Sequence, residues 1–421
     1  MMFNDRIAVY ESLNDVLNNG AYSNLSINRM INKYEVYSSS YIRNYAKGVL
    51  RYLMLLDFNI DKLSQKGVKS IKTKDLILLR MGIYEIMFSK SIPNYATVNE
   101  IVEIAKKKCK GRDKFINGIL RSFIREKDNI NLPNNNHKEL SIKESFPLWI
   151  VEMIIDQYGE NDGKEIIKGL NIIPSMTLRI NKLKVNREDV LKKLNNTKAY
   201  DINDNMIIVN EGDIISSKEY KDGEISVQGV ASINAINVLN PEPGAYVLDM
   251  CAAPGGKTTY MAEIMDNKGL IVACDIYENR LRLIANETKR LSIDIIKTKI
   301  KDGCLHDKEM NDKFDYVLAD VPCSGMGVIN KKPEIKYNIN EAELKDLQVI
   351  QLKILENACN YVKVGGNVLY STCTINKDEN DGIIDKFLLN NDKFNIVEKY
   401  TALPYNGKVD GFFYCKLCRL N

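Results

Sequence analysis

The 421-residue chain has no apolar run near 20 residues, and its first residues do not carry the pattern of a secretory leader. A membrane-spanning helix is therefore not expected, and the sequence reads as that of a soluble, cytoplasmic protein. Low-complexity tracts and repeats at solenoid periods are missing too, which argues against disordered and repeat architectures. Histidine is scarce: His137 and His306 are the whole supply, and both sit in polar contexts. A zinc site is not expected, and the Cys415–Cys418 pair does not rescue it, because three residues along a strand put its ends on opposite faces. The nine cysteines are scattered and odd in number, which fits intracellular thiols better than a disulfide framework. Proline does not occur before Pro93, which leaves a long N-terminal stretch free to be helical.

What is present is a globular composition, 45% hydrophobic and 27% charged, in a chain long enough for two or three domains. The charge is unevenly spread. Residues 1–140 carry +9 against +4 for the whole chain, so residues 141–421 carry −5. A basic N-terminal part suggests an anionic partner there, although a solvated lysine-rich surface has the same signature.

Periodicity divides the chain further. Residues 1–130 read as helical, with three- and four-residue apolar spacing over Tyr41–Leu56, Thr73–Phe88 and Val98–Lys108. The asparagine-rich stretch within 131–144, with Pro133, is the linker candidate. Residues 145–227 mix a helix (Leu148–Tyr158) with short strands (Met176–Ile180, Met206–Val209), as in a small α+β module. From 228 to 421 short apolar runs alternate with amphipathic helices, the pattern of a parallel, doubly wound α/β sheet. Two last strands, near Asn395–Glu398 and Gly411–Leu417, are expected to form a hairpin at its edge. Ligands of such sheets bind at the carboxyl ends of the strands.

The first of those ends carries VLDMCAAPGGKTT, Val247–Thr259. Pro254, Gly255 and Gly256 make a tight turn into a helix, so that backbone N–H groups can approach a ligand. The tail GGKTT imitates a phosphate-binding loop, but that pattern needs a glycine where Cys251 stands. The next strand ends in Asp275, suited to ribose hydroxyls, and Asp302 follows the third, where an adenine amino group could be met. A loop and two acids at successive strand ends describe a nucleoside cofactor rather than a triphosphate.

Two cysteines follow the next strands: Cys323 in DVPCSG after Asp320, and Cys373 in YSTCT. Most cysteines are small buried hydrophobes. These two are expected to share one crevice with a carboxylate. Two thiols and an acid beside a methyl donor suit methylation at C5 of cytosine, a poor nucleophile until a thiolate adds at C6. A carboxylate such as Asp320 would aid protonation at N3. The chemistry alone leaves open which thiol attacks.

With VLDMCAAPGGKTT, ACDIYENRL, DYVLADVPCSGMGV and YSTCTINKDEN in that order, the chain resembles the bacterial ribosomal RNA small-subunit methyltransferase B family, the Sun-type RNA cytosine-C5 methyltransferases. The resemblance implies S-adenosylmethionine (SAM) as cofactor, contacted by Cys251, Ala252, Ala253, Pro254, Gly255, Gly256, Lys257, Asp275, Asp302 and Asp320. It implies Cys373 as nucleophile, Cys323 as an aid to product release, and no metal. Residues 1–130 resemble the family's NusB-like RNA-binding domain through GVLRYL, LILLRMGIYEIMF, ATVNEIVEIAK and KFINGILR. Arg51, Arg80 and Arg121 lie in those segments, as phosphate contacts or as structural ion pairs. Residues 145–227 resemble an RNA-contacting module in which Arg179 and Asn181 stand out. The expected substrate is small-subunit ribosomal RNA, and the expected state a monomer. A transfer-RNA cytosine methyltransferase and a non-catalytic RNA-binding assembly or transcription factor are the alternatives. Thr374 replaces the family's usual serine, Asn330-Lys331-Lys332-Pro333 replaces an arginine-arginine-histidine-proline stretch, and Tyr405 stands where histidine is common.

Overall fold

A computed structural model describes residues 2–194, 199–203, 206–209 and 214–421. The chain forms two compact units: residues 1–171 with 329–338, and residues 172–328 with 339–421.

The first unit is helical. Its central helix, Thr73–Phe88, is buried on nearly every side. Around it run helices Met2–Asn19, Ser39–Arg51, Asn94–Lys108 and Asp113–Glu126. Two of the three expected helical stretches appear as such. The third, Tyr41–Leu56, is interrupted: Ser39–Arg51 ends at Tyr52 and a new helix covers Leu53–Leu63. Tyr52 stacks on Phe88 with ring centroids 4.5 Å apart. The break frees two backbone groups that a continuous helix would pair. The Leu55 N–H donates to Ser145 Oγ at 2.9 Å, and the Arg51 carbonyl accepts from Lys336 Nζ at 3.0 Å. Within the linker candidate 131–144 a helix covers Asn136–Glu144, which the Asn135 side chain caps by accepting from Lys138 N–H.

The second unit holds two sheets. The smaller has strands β1 (Met176–Ile180), β2 (Ala199–Asn203), β3 (Met206–Val209) and β4 (Ile225–Val227), in the order β2-β3-β1-β4 and antiparallel throughout. The larger has β5 (Tyr246–Asp249), β6 (Leu270–Asp275), β7 (Ile296–Ile300), β8 (Phe314–Asp320), β9 (Val362–Thr372), β10 (Phe394–Ala402) and β11 (Phe412–Arg419). Its order is β10-β11-β9-β8-β5-β6-β7, with β5 to β9 parallel and β10–β11 an antiparallel hairpin at the edge. The expected doubly wound sheet and edge hairpin are both there. The order reverses between β5 and β8, which opens the crevice where such sheets bind ligands. Buried apolar residues on both faces explain the near-continuous apolar runs of β5, β6, β8 and β9, whereas β7, at the edge, is mostly exposed and carries two lysines.

Candidate active site

Asp275, Asp302 and Asp320, the acids singled out in the sequence, sit at strands' carboxyl ends, and the structure adds a fourth, Asp249, to which the sequence reading gave no role. Asp249 closes β5, Asp275 closes β6, Asp302 lies just past β7 and Asp320 closes β8. The loop after β5 then bends into helix Gly256–Ile264. Gly255 makes that bend with φ of +108°, a left-handed conformation, and a Cβ there would stand 3.2 Å from Ile284 Cγ1. The loop is fixed from several sides. Ala252 N–H donates to the Cys274 carbonyl at 2.8 Å, and Arg280 donates to the Ala253 carbonyl at 2.8 Å. The same arginine pairs with Asp275 at 3.2 Å, and Tyr277 N–H donates to that carboxylate at 3.1 Å.

Asp249 accepts from Thr258 Oγ1 at 2.7 Å. Burial, with the charge of Asp320 adding to it, pushes its carboxyl up to about 7. Its second oxygen, Oδ1, is buried without a protein partner among the described residues. Asp302 Oδ1 accepts from Cys304 N–H at 2.8 Å, the turn of a short polar loop. An orphaned carboxylate oxygen, a glycine-floored loop at a helix start and two further acids at neighbouring strand ends match the donors and acceptors of an adenosine-bearing cofactor. The residues present fit SAM.

Asp320 belongs to a second cluster. Its Oδ2 accepts from Lys257 Nζ at 2.7 Å, and its Oδ1 accepts from Ser371 Oγ at 2.7 Å. The Ser371 contact follows from register, since Asp320 and Ser371 are paired partners on β8 and β9. Burial lowers the proton affinity of the Lys257 ammonium, but Asp320 more than offsets this, so the group is held above its usual range. Its cation is also coupled to the Cys373 sulphur. Lys257 is thus engaged by Asp320 rather than free to reach out from the loop.

The two expected cysteines come together. Cys323 Sγ lies 3.4 Å from Cys373 Sγ, and both residues are half-buried. The hydrogen bond to Cys373, reinforced by burial, pushes the Cys323 thiol well above its usual range. Gly327 N–H donates to the Cys373 carbonyl at 3.0 Å, tying one cysteine loop to the other. Between the loops stands Glu379, fully buried. It lies in the KDEN segment and, like Ser371 and Gln351, carries no chemical signal of its own in the sequence.

Some expected RNA contacts are elsewhere. Arg179 is 1% exposed and faces inward. It pairs with Glu263 at 2.7 Å, donates to the Gly256 carbonyl at 2.8 Å and lies over the Tyr260 ring. It therefore braces the cofactor-loop helix from inside the unit and is not on an RNA-facing surface. Asn181 is likewise buried, donating to the Gly223 carbonyl at 3.0 Å. In the helical unit Arg51 is buried and donates to the Asn330 carbonyl, and Arg80 is paired with Asp57 at 2.7 Å. Arg121 is the member of that trio on the surface, bonded to Asn117 of its own helix. Cys415 is buried in the core while Cys418 lies half-buried three residues on.

Comparison with known proteins places this arrangement. The family described as 16S rRNA methyltransferase RsmB/F matches residues 236–418. The NusB family matches residues 4–125, and the ferredoxin-like domain of RsmF/B-like methyltransferases matches residues 146–202. The probable ribosomal RNA small subunit methyltransferase B of Bacillus subtilis (strain 168) is 32% identical over 433 residues, 97% of both chains. The ribosomal RNA small subunit methyltransferase B of Escherichia coli (strain K12) is 31% identical over 391 residues, 88% of both. The crystal structure of a protein described as PH0851 superposes with a TM-score of 0.85 at 26% identity, covering 100% of this chain and 99% of that one.

Proposed function

From the premise that the chain belongs to the ribosomal RNA small subunit methyltransferase B family, SAM-dependent RNA methyltransferases, we propose that it methylates C5 of a cytosine in 16S ribosomal RNA through a covalent cysteine adduct. The observation that carries the reading is the 3.4 Å pairing of Cys323 with Cys373 beside Asp320, at the carboxyl ends of β8 and β9.

SAM, held by residues 251–257 with Asp275 and Asp302, supplies an electrophilic methyl group. The protein's own residues make cytosine able to accept it. The Cys373 thiolate adds to C6, forming an S–C6 bond and sending the ring's electron density through C4 to N3. Asp320, held in place by Lys257 and Ser371, orients the base and aids protonation at N3. C5 becomes nucleophilic and takes the methyl group. Loss of the C5 proton to a base then returns the electron pair, N3 gives up its proton, and the S–C6 bond breaks. Cys323, a thiol in hydrogen-bond contact with Cys373, donates its S–H to the departing Cys373 thiolate and so assists release. The target base must leave its stack to reach the crevice, which favours single-stranded or partly unfolded RNA. The helical residues 1–130, basic overall, would bind that RNA, and a monomer suffices.

The test is methyl transfer from labelled SAM to unmodified small-subunit ribosomal RNA, followed by nucleoside analysis. Labelled 5-methylcytidine supports the proposal. Labelling of transfer RNA instead would move the substrate, and RNA binding with no transfer would leave an RNA-binding factor.

A further inference from the structure

Both cysteine loops end on one buried carboxylate. Glu379 Oε2 accepts from the backbone N–H of Ser324, the residue after Cys323, at 2.8 Å, and from Gln351 Nε2 at 2.9 Å. Its Oε1 accepts from Asn376 Nδ2 at 3.2 Å and from the hydroxyl of Thr374, the residue after Cys373, at 3.4 Å. Gln351, on helix Glu341–Tyr361, also donates to the Pro322 carbonyl at 2.9 Å, so it grips the first loop on the other side of Cys323. The Ser324 and Thr374 hydroxyls meet at 2.7 Å, and Tyr370 donates to Glu379's own carbonyl at 2.6 Å. Apart from those of Gln351, which come from a separate helix, these bonds link the segment after Cys323 and the segments on either side of Cys373 with one another.

We infer that Glu379 is a positioning residue for the two-thiol step: seated by Gln351, it ties Ser324 to Thr374 and so sets the Cys323–Cys373 separation on which release of the RNA depends. The inference rests on the cysteine-adduct reading above. Both carboxylate oxygens are committed as acceptors, and only a carboxylate offers acceptors on both sides. An amide would turn one of them into a donor facing a donor, and a buried mismatch of that kind opens the contact. The charge has a second effect. After the hydrogen bond to Cys373 and burial, the Glu379 carboxylate is a further influence keeping Cys323 a thiol.

The experiment uses full-length Glu379→Gln and Gln351→Met beside wild type and Cys373→Ala, with folding checked by thermal unfolding. For Glu379→Gln we expect kcat to fall at least tenfold with KM for SAM and for RNA within twofold. Denaturing gels should show a persistent protein–RNA adduct, and alkylation of Cys323, followed by peptide mass spectrometry, should begin at lower pH than in wild type. Gln351→Met should shift the same readouts less far. A folded Glu379→Gln with wild-type kcat, no adduct and an unshifted alkylation profile overturns the inference. If Glu379→Gln does not fold, Gln351→Met decides, adduct supporting the inference and wild-type turnover overturning it. Activity in Cys373→Ala would instead overturn the adduct reading itself, whereas a dead Cys373→Ala beside a normal Glu379→Gln removes only the role given to Glu379.

Discussion

Arg179 and Glu263 form an ion pair at 2.7 Å in which both side chains are almost wholly buried. The arginine comes from β1 of the small sheet and the glutamate from the helix that begins at the cofactor loop. Removing one partner leaves the other charged and unpaired out of water. Arg179→Met should lower unfolding stability by about 3–5 kcal/mol, and the double variant with Glu263→Met should recover part of that loss. Urea unfolding of the two singles and the double measures it. An additive double variant would contradict the pairing as the source of the cost.

The same helix start makes a prediction about cofactor binding. Gly255→Ala would put a Cβ into left-handed backbone and 3.2 Å from Ile284 Cγ1. SAM should raise the melting temperature of the wild type, as any ligand bound to the native state does. It should raise that of Gly255→Ala far less at equal concentration, with affinity down roughly tenfold or more if about 1.4 kcal/mol of loop strain is unrelieved. Calorimetric titration gives the number, and unchanged affinity would mean that the loop does not form the cradle.

Asp249 makes a pH prediction. Its carboxyl stands at about 7 in the folded protein against an ordinary 3.8, so the fold favours the protonated form. That contribution is complete below about pH 4 and is lost as pH rises through about 7. Asp249→Asn, which stays neutral, should therefore gain on wild type between about pH 4 and pH 7, by at most about 4 kcal/mol, and hold that gain at higher pH. Chemical denaturation at several pH values reads the difference, and a difference that does not change with pH contradicts the assignment.

In the helical unit, Lys336 is fully buried and its three donors meet three acceptors: the Arg51 carbonyl at 3.0 Å, the Glu144 carbonyl at 3.0 Å and Asn171 Oδ1 at 2.7 Å. Its ammonium also lies 3.7 Å from the centre of the Phe146 ring. Lys336→Met fills the space but strands the acceptors, and should cost about 2–4 kcal/mol of stability. Limited proteolysis should open the chain within residues 329–338 faster than in wild type.

Much of this was legible in the sequence because it is local. The five parallel strands, the loop after β5 and the acids at strand ends each announce themselves within a dozen residues, by apolar runs and turn chemistry. So do both cysteines, since each lies in the loop just after a strand end. What escaped is pairing at a distance. Arg179 meets a glutamate 84 positions on, and Lys336 reaches a carbonyl 285 positions back. An arginine on a short strand looks the same whether it faces phosphate or a buried carboxylate, so Arg179 and Asn181 stand out in the sequence without showing that they face inward. The break at Tyr52 was hidden for a related reason: apolar spacing continues through it, and the groups that satisfy the freed backbone lie far along the chain. Glu379 reads as one more acid in a charged segment until the two loops that it joins are seen together.

The central claim is that Cys373 attacks the base and Cys323 lets it go. The most direct measurement incubates wild type, Cys373→Ala and Cys323→Ala with SAM and unmodified small-subunit ribosomal RNA, then resolves free protein from protein–RNA adduct under denaturing conditions while product is counted. The account predicts 5-methylcytidine without lasting adduct for wild type, neither product nor adduct for Cys373→Ala, and an accumulating covalent adduct for Cys323→Ala. Product formed by Cys373→Ala, or an adduct that persists in it, would contradict the assignment of the nucleophile.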